Sequence, residues 1–284
     1  MARFLERLMA AQDRWARPLG DFNHRWLTAL FRPIRPVKDL LNGRWYGHPL
    51  HAALSDGPIG ILLVSIVLDV MGRHDAADVA LVLGILAMIA AAVAGAADYT
   101  DTDGRARSRA TLHATLMVAS LVVFLLSLAM RATGTADRTI PVAVAIVGFL
   151  ILVAGAIVGG DVAYRYGNMV DRHAWRTGGA KWLPLEIPGD EVPEGTPTRA
   201  KLGVNTLVLV RSGDTIHALH DQCAHAGGPL SGGTVVDGCI ECPYHGSRFS
   251  LADGRVRRGP SVYDQPTYEI RRGEHGWEGR RGGS

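Results

Sequence analysis

Cysteine is scarce in this chain: Cys223, Cys239 and Cys242 are the only three in 284 residues. Cys223 and Cys242 each stand within three residues of a histidine, so Cys239 is left alone and no pair remains for an intrachain disulfide. A disulfide-braced secreted fold is thereby excluded, and a reducing compartment fits. Cys239 reads as a small buried residue at the start of the strand that leads into Cys242. A strong overall charge is missing as well, the formal net charge being +3. The local excess in residues 1–47, nine Lys/Arg against four Asp/Glu, suits an anionic lipid surface better than nucleic acid. No apolar core of about 7–15 residues follows the basic start, so a signal peptide is not expected. Residues 182–284 lack long apolar runs, whereas four such runs lie between about 49 and 160. The chain therefore reads as a membrane part followed by a soluble part.

In the amino-terminal segment Phe4, Leu5, Leu8 and Met9 recur at helical spacing, as do Phe22, Trp26, Leu27, Leu30 and Phe31. With arginines between them, these predict one or two amphipathic helices lying on a membrane interface. A helix packed on the soluble domain is the alternative. Pro33, Pro36, Gly43 and Gly47 then interrupt the chain.

A spanning helix needs about 20 apolar residues. Residues 49–71, 77–98, 110–130 and 139–160 meet that requirement. The uninterrupted run from Ile59 to Met71 would rise only about 20 Å. The first span must therefore begin near Pro49 and pass through Gly57-Pro58, which draws His51 and Asp56 to membrane depth. Basic residues concentrate before the first span, in the second loop (Arg105, Arg107, Arg109) and after the fourth span (Arg165, Arg172, Arg176, Lys181). The other loops offer Arg73, then Arg131 and Arg138. That asymmetry places both termini in the cytoplasm of a bacterial-type cell.

In that orientation His48, His51, Asp56, Asp98, His113 and Asp161 gather at the cytoplasmic ends of the four spans. Ionisable groups at membrane depth are costly, so they are paired or functional. Three readings stay open: a haem b held by His51 and His113, a quinone pocket or proton site using one of these histidines with an aspartate, or structural interhelical His–Asp pairing and helix capping at the interface. Small residues at Gly155, Gly159 and along Ala90–Ala97 predict close helix contacts. Through His48-Pro49-Leu50-His51, Asp56-Gly57-Pro58 and Gly159-Gly160-Asp161, residues from about 45 to 170 resemble an uncharacterised bacterial four-helix membrane domain. That resemblance implies a fold and no mechanism.

The soluble part carries the chemistry. Cys223-Ala224-His225 and Cys242-Pro243-Tyr244-His245 supply two thiolates and two imidazoles from two loops rich in glycine and proline. A Cys₂His₂ zinc site uses the same four donors, but usually pairs Cys with Cys and His with His in sequence. From about Trp182 to Gly279, on these motifs, the chain resembles the Rieske [2Fe-2S] ferredoxin family. The resemblance implies that Cys223 and Cys242 ligate one iron and His225 and His245 the other. Neutral imidazoles in place of two thiolates raise the potential to about −150 to +300 mV. It also implies that Ser247 donates a hydrogen bond to a cluster sulfur and that Gly259-Pro260-Ser261 covers the cluster. Rieske proteins of quinol-oxidising complexes carry an extra disulfide in these loops; here Gly228 and Tyr244 occupy those places. His217 and His220 fall outside the ligand pattern and read as surface or packing residues.

Turns at Ser212-Gly213-Asp214, at Ala252-Asp253-Gly254 and near Gly276 predict short antiparallel strands. The expected architecture is a membrane bundle of four transmembrane helices plus a small all-β Rieske-type domain. Its divisions are 1–47 (interfacial segment), 48–163 (bundle), 164–181 (juxtamembrane linker) and 182–284 (Rieske domain). The implied function is membrane-anchored, one-electron transfer on the cytoplasmic face, with membrane lipid and a redox protein (reductase or acceptor) as partners and association into a homo-oligomer allowed. The alternative is a quinol oxidoreductase, or a subunit of one, using a haem or quinone in the bundle. A terminal oxygenase needs a further iron domain, and 39 residues after His245 are too few for it.

Overall fold

The computed structural model describes residues 2–133, 137–175, 179–189, 191–274 and 276–282. Arg176 and the side chains of Phe4 and Leu5, used above, lie outside the described residues. The chain forms two compact units, one of Met1–Leu41 with Pro49–Asn168 and the other of Asn42–His48 with Met169–Ser284. His48, read from sequence with the first span, therefore groups with the second unit.

The first unit is all helix: α1 Ala2–Ala11, α2 Asp13–Phe31, α3 Arg35–Leu41, α4 Leu50–Val70, α5 His74–Tyr99, α6 Gly104–Ala132 and α7 Thr139–Gly160, ending in a π-helical turn at Asp161–Arg165. The last four helices are long and apolar enough to cross a membrane. α4 runs without a break through Pro58. α5 and α6 extend beyond the apolar runs because their polar ends find partners within the unit. Arg109 bonds Asp13 at 2.9 Å and Arg107 bonds Asp21 at 2.9 Å. At the opposite end the buried Arg131 holds Asp69 at 2.6 Å and Asp78 at 2.8 Å.

The amino-terminal helices do more than lie flat. α2 turns its small residues Ala16 and Gly20 inward, and Gly20 lies so close to Thr111 that a Cβ there would stand 2.6 Å from its Oγ1. Tyr99 Oη donates to the carbonyl of Gly20 at 3.2 Å, fixing α2 to the α5–α6 turn. Trp15, Leu19, Phe22, Trp26 and Leu30 remain exposed along the other face.

The bundle is a duplication. Ser65 donates to the carbonyl of Ala77 at 2.8 Å, and Ser127, 62 residues later, donates to the carbonyl of Pro141 at 2.7 Å. Leu62 fills the space beside Gly84, and Phe124, again 62 residues on, lies 3.3 Å from a Cβ built on Gly148. Asp69 and Arg131 hold the same register and neutralise each other. Hairpin α4–α5 is thus repeated by hairpin α6–α7, the parallel arrangement of repeats found in many membrane folds.

The second unit is a closed barrel in the order β1-β10-β9-β4-β3-β2 and a four-stranded sheet β5-β6-β7-β8. The barrel strands are β1 Leu183–Glu186, β2 Thr198–Leu202, β3 Asn205–Ser212, β4 Thr215–His220, β9 Thr267–Gly273 and β10 Gly276–Arg281. Those of the sheet are β5 Thr234–Val236, β6 Cys239–Glu241, β7 Arg248–Ser250 and β8 Val256–Arg258. Each predicted turn is present, with Gly213 and Gly254 at positive φ. Closure comes from β1 pairing β10, Leu183 opposite Gly279, a contact no local signal announces. Leu185, Leu202, Leu207, Leu209 and Tyr268 fill the barrel, and a second core of Val208, Leu219, Ile240 and Phe249 includes Cys223 and Cys242.

Candidate metal centre

Two loops of the second unit are built alike. In the first, the Cys223 N–H donates to the carbonyl of Gly228 and the Gly227 N–H donates back to Cys223, each at 2.9 Å. In the second, the Cys242 N–H donates to Ser247 at 2.8 Å and the Gly246 N–H to Cys242 at 3.0 Å. Both loops close through a glycine with φ near +75°, Gly227 at 77° and Gly246 at 75°, a conformation that other residues adopt only under strain. The first loop leaves β4 and the second joins β6 to β7, so each is held by a strand at its start.

The two turns bring the four predicted ligands together. The Cys223 and Cys242 thiols are hydrogen-bonded to each other, and both residues are almost fully buried. The His225 and His245 rings stand 5.1 Å apart, nearly perpendicular at 87°. His225 is 2% exposed, whereas His245 is half-buried beside the exposed Tyr244. A Cβ on Gly228 would lie 3.0 Å from Cys242 Sγ and 2.9 Å from Tyr244 Cγ. Gly228 and Tyr244 thus face each other, with the Tyr244 ring filling the space beside the glycine.

Electrostatics favour thiolate. The hydrogen bond from Cys223 pulls the Cys242 thiol down to about 7 against its burial, helped by the Tyr244 and His245 backbone N–H groups. Cys223 is pushed well up by that same bond and by burial. The Cys223 sulfur also receives the N–H groups of His225 and Ala226. Such cradles of backbone donors stabilise sulfur-borne negative charge and tune a bound metal.

The donor set fits a two-iron cluster better than one ion. A tetrahedral zinc needs all four donors within about 2.0–2.3 Å of one point. Among the described residues no three His, Cys, Asp or Glu side chains converge in that way. Sulfur stands with sulfur and ring with ring, the division a bridged pair of irons requires.

Around the four ligands the structure adds residues that the sequence did not announce. Glu241, one residue before Cys242, takes hydrogen bonds from Arg248 at 2.6 Å and Arg258 at 2.7 Å. Burial acts to raise its carboxyl, but the two guanidinium groups win and hold it below the usual range. Arg258 also donates to the carbonyl of Gly246. Behind the first loop, Gln265 accepts the Ala224 N–H at 2.9 Å and donates to the carbonyls of His220 and Gln222 at 2.6 and 2.7 Å. His220 is buried and stacks at 4.7 Å on His173, whose Nε2 bonds the Gln222 carbonyl, so it is a packing residue as expected. Glutamine and arginine at these distances in sequence carry no pattern that singles them out. Ser247 is buried, and its Oγ accepts the Ser261 N–H at 3.0 Å, which ties the Gly259-Pro260-Ser261 segment to the second loop.

The histidines of the helical unit form a separate pair. His51 and His113 meet with ring centroids 6.1 Å apart. Their Nδ1 atoms bond the carbonyls of Ala91 and Gly155, each at 2.9 Å, so neither pairs with Asp98 or Asp161.

Comparison with known proteins agrees with this division. Residues 182–269 match the Rieske [2Fe-2S] domain, and residues 47–172 match a family described as a predicted membrane protein, DUF2231. The anthranilate 1,2-dioxygenase ferredoxin subunit of Burkholderia cepacia is 36% identical over 92 residues, which cover 32% of this chain and 84% of the relative. Ferredoxin CarAc of Metapseudomonas resinovorans is 33% identical over 90 residues, 31% of this chain and 83% of that protein. Among solved structures, the ferredoxin of carbazole 1,9a-dioxygenase from Nocardioides aromaticivorans IC177 aligns with 26% identity and a TM-score of 0.32, covering 36% of this chain and 99% of its own. Two thiols and two imidazoles presented by paired glycine loops, within a stretch shared with whole ferredoxins, make this chain a member of the Rieske [2Fe-2S] family, fused to a DUF2231 membrane domain.

Proposed function

We propose that this protein is a membrane-anchored Rieske electron carrier in which Cys223 and Cys242 hold one iron and His225 and His245 the other. The observation that carries the reading is the pairing itself: thiol on thiol and ring on ring at 5.1 Å, delivered by two loops of identical hydrogen-bond pattern. When bound, the cluster supplies one-electron chemistry at a potential raised by its neutral ligands. The chain's own residues do the rest. The backbone donors of His225, Ala226, Tyr244 and His245 stabilise the two thiolates. Ser247, with its oxygen engaged by Ser261, keeps its proton to donate toward a sulfide, which would raise the potential further. Glu241 is paired with Arg248 and Arg258, so its charge opposes reduction only weakly.

His245 is the less buried imidazole, and with Tyr244 it forms the edge where a redox protein would dock. One relative is by name the ferredoxin subunit of a dioxygenase, which supports an oxygenase or a reductase as the partner class. Four apolar helices and the DUF2231 match support anchoring in a membrane. Placement of both termini and the module in the cytoplasm rests on the basic residues before the first span, in the second loop and after the fourth span.

The test is anaerobic purification of the full chain from the membrane fraction. Equal iron and acid-labile sulfide, with a Rieske-type EPR signal on reduction, is the expected result; zinc, or iron without sulfide, overturns it. The meeting of His51 and His113 favours quinol oxidoreductase as the second reading. Reduction of the cluster by quinol, lost in His51→Ala, would distinguish it from a simple carrier.

A further inference from the structure

The duplicated bundle contains a site of its own. His51 on α4 and His113 on α6 are equivalent in the repeat, 62 residues apart, and their surroundings repeat as well. A Cβ on Gly95 would lie 2.9 Å from the His51 ring, and one on Gly159 would lie 2.8 Å from the His113 ring. Each imidazole is thus laid against the bare backbone of the following helix. Each Nδ1 is engaged by the carbonyl one turn before that glycine, Ala91 or Gly155.

A carbonyl can only accept, so both Nδ1 atoms carry the proton and both Nε2 atoms present lone pairs. Among the described residues no hydrogen bond reaches either Nε2. Two fixed lone-pair donors on half-buried rings, from equivalent positions of a repeat, can serve one Lewis acid between them. The spacing agrees: two metal–nitrogen bonds of about 2 Å, plus the radius of each ring, separate imidazole centroids by about 6 Å. The observed value is 6.1 Å, with the ring planes turned 67° from each other.

The class of metal follows from the ligand count. A bare first-row ion held by proteins takes four or more donors. Among the described residues no third His, Cys, Asp or Glu converges on the pair. The missing donors must come with the metal, and an iron porphyrin brings four nitrogens of its own. The geometry points to a b-type haem in the helical bundle, with His51 and His113 as its two axial ligands. The residues that touch the two rings, Ala91, Gly95, Gly155 and Gly159, are all small, so no bulky side chain of the facing helices covers them at these points. The inference does not depend on what occupies the Rieske loops.

The full chain, made in haem-replete cells and purified in detergent, should give about one haem per chain in a pyridine haemochrome assay. Its reduced spectrum should be that of low-spin, bis-imidazole iron. His51→Ala and His113→Ala should each lower haem content at least about tenfold while cluster iron and sulfide stay intact. His113→Met should keep haem with a shifted spectrum, which separates lost ligation from lost folding. His24→Ala and His74→Ala should leave haem unchanged. The proposal is overturned by protein with a full cluster that neither contains haem nor takes up added haemin, or by copper, zinc or a quinone in its place. Haem content unaffected by both alanine variants also overturns it. Cluster loss with haem retained would sink the electron-carrier reading and leave this one standing.

Discussion

The two units solve the same problem with different means. In the β unit, equivalent loops deliver Cys223 and Cys242 into contact; in the bundle, equivalent hairpins deliver His51 and His113. The loops carry their ligands, glycines and turns within eight residues each, so the local chain dictates the geometry. The hairpins carry one ligand each, and its partner carbonyl lies 40 or 42 residues away, on the next helix. A local motif is rigid because backbone atoms surround it. A helical site depends on side chains packed between helices, which yield more readily.

Removing a ligand tests the comparison with the largest effect. Cys242→Ser or His245→Ala should abolish binding of the cluster, with bound iron and sulfide falling by more than about tenfold in anaerobic metal analysis. The helical unit should be untouched, its far-ultraviolet dichroism and detergent melting unchanged. If both units unfolded together, they would not be the independent bodies described here.

Glycine replacement tests the rigidity directly. Gly254 has φ +69°, and a Cβ there would press on the carbonyl oxygen of Gln265, a backbone atom that cannot rotate away. Gly254→Ala should cost the β unit about 3 kcal/mol, from strain plus steric conflict, read as a lower denaturation midpoint. In the bundle, a Cβ on Gly84 would meet the Leu62 side chain at 2.5 Å. The buried Leu62 must shift at an overpacking cost of about 1–3 kcal/mol, while alanine gains about 1 kcal/mol of helix propensity over glycine, so Gly84→Ala should cost about 0–2 kcal/mol, less than Gly254→Ala. Equal effects would remove the distinction.

What the sequence made legible follows the same line. The ligands and the hairpins at Gly213 and Gly254 were readable because each lies within a short stretch. The four spans were readable from apolar runs. The first turns of α6 were not, because Arg107 and Arg109 look like loop residues until Asp21 and Asp13 are placed beside them. The pairing of β1 with β10 was hidden because its partners stand almost a hundred residues apart. The partners of His51 and His113 were hidden too: their Nδ1 atoms meet the backbone carbonyls of Ala91 and Gly155. The signal that would have found them is the internal repeat, in which His51, Leu62, Ser65 and Asp69 recur in register as His113, Phe124, Ser127 and Arg131. Substitution of Leu by Phe and of Asp by Arg obscures it in a simple reading.

Ser247 sharpens the picture at smaller scale. Ser247→Ala leaves the buried Ser261 N–H without its acceptor, a loss of about 1–3 kcal/mol. It should also lower the cluster potential, measured by protein-film voltammetry, if the hydroxyl donates to a sulfide. A destabilised protein with an unchanged potential would confine Ser247 to holding the Pro260 segment.

The smallest effect belongs to Glu241, whose carboxylate bridges Arg248 and Arg258 next to Cys242. Its carboxyl titrates below the ordinary 4.5 in the folded protein because the two guanidinium groups outweigh burial. A depressed carboxyl stabilises the fold above its unfolded value and loses that contribution as pH falls through the folded value. The bridge should therefore be worth about 1 kcal/mol at neutral pH. Most of it should vanish once the pH falls below that depressed folded value, where the carboxyl is protonated in both states. Glu241→Gln should lower the melting temperature of the β unit at pH 7 and leave it nearly unchanged in acid. The same substitution removes a negative charge beside the cluster while keeping two positive ones, so the potential should rise. A melting difference that is independent of pH would show that Glu241 acts through packing, and the electrostatic account of this corner of the module would fail.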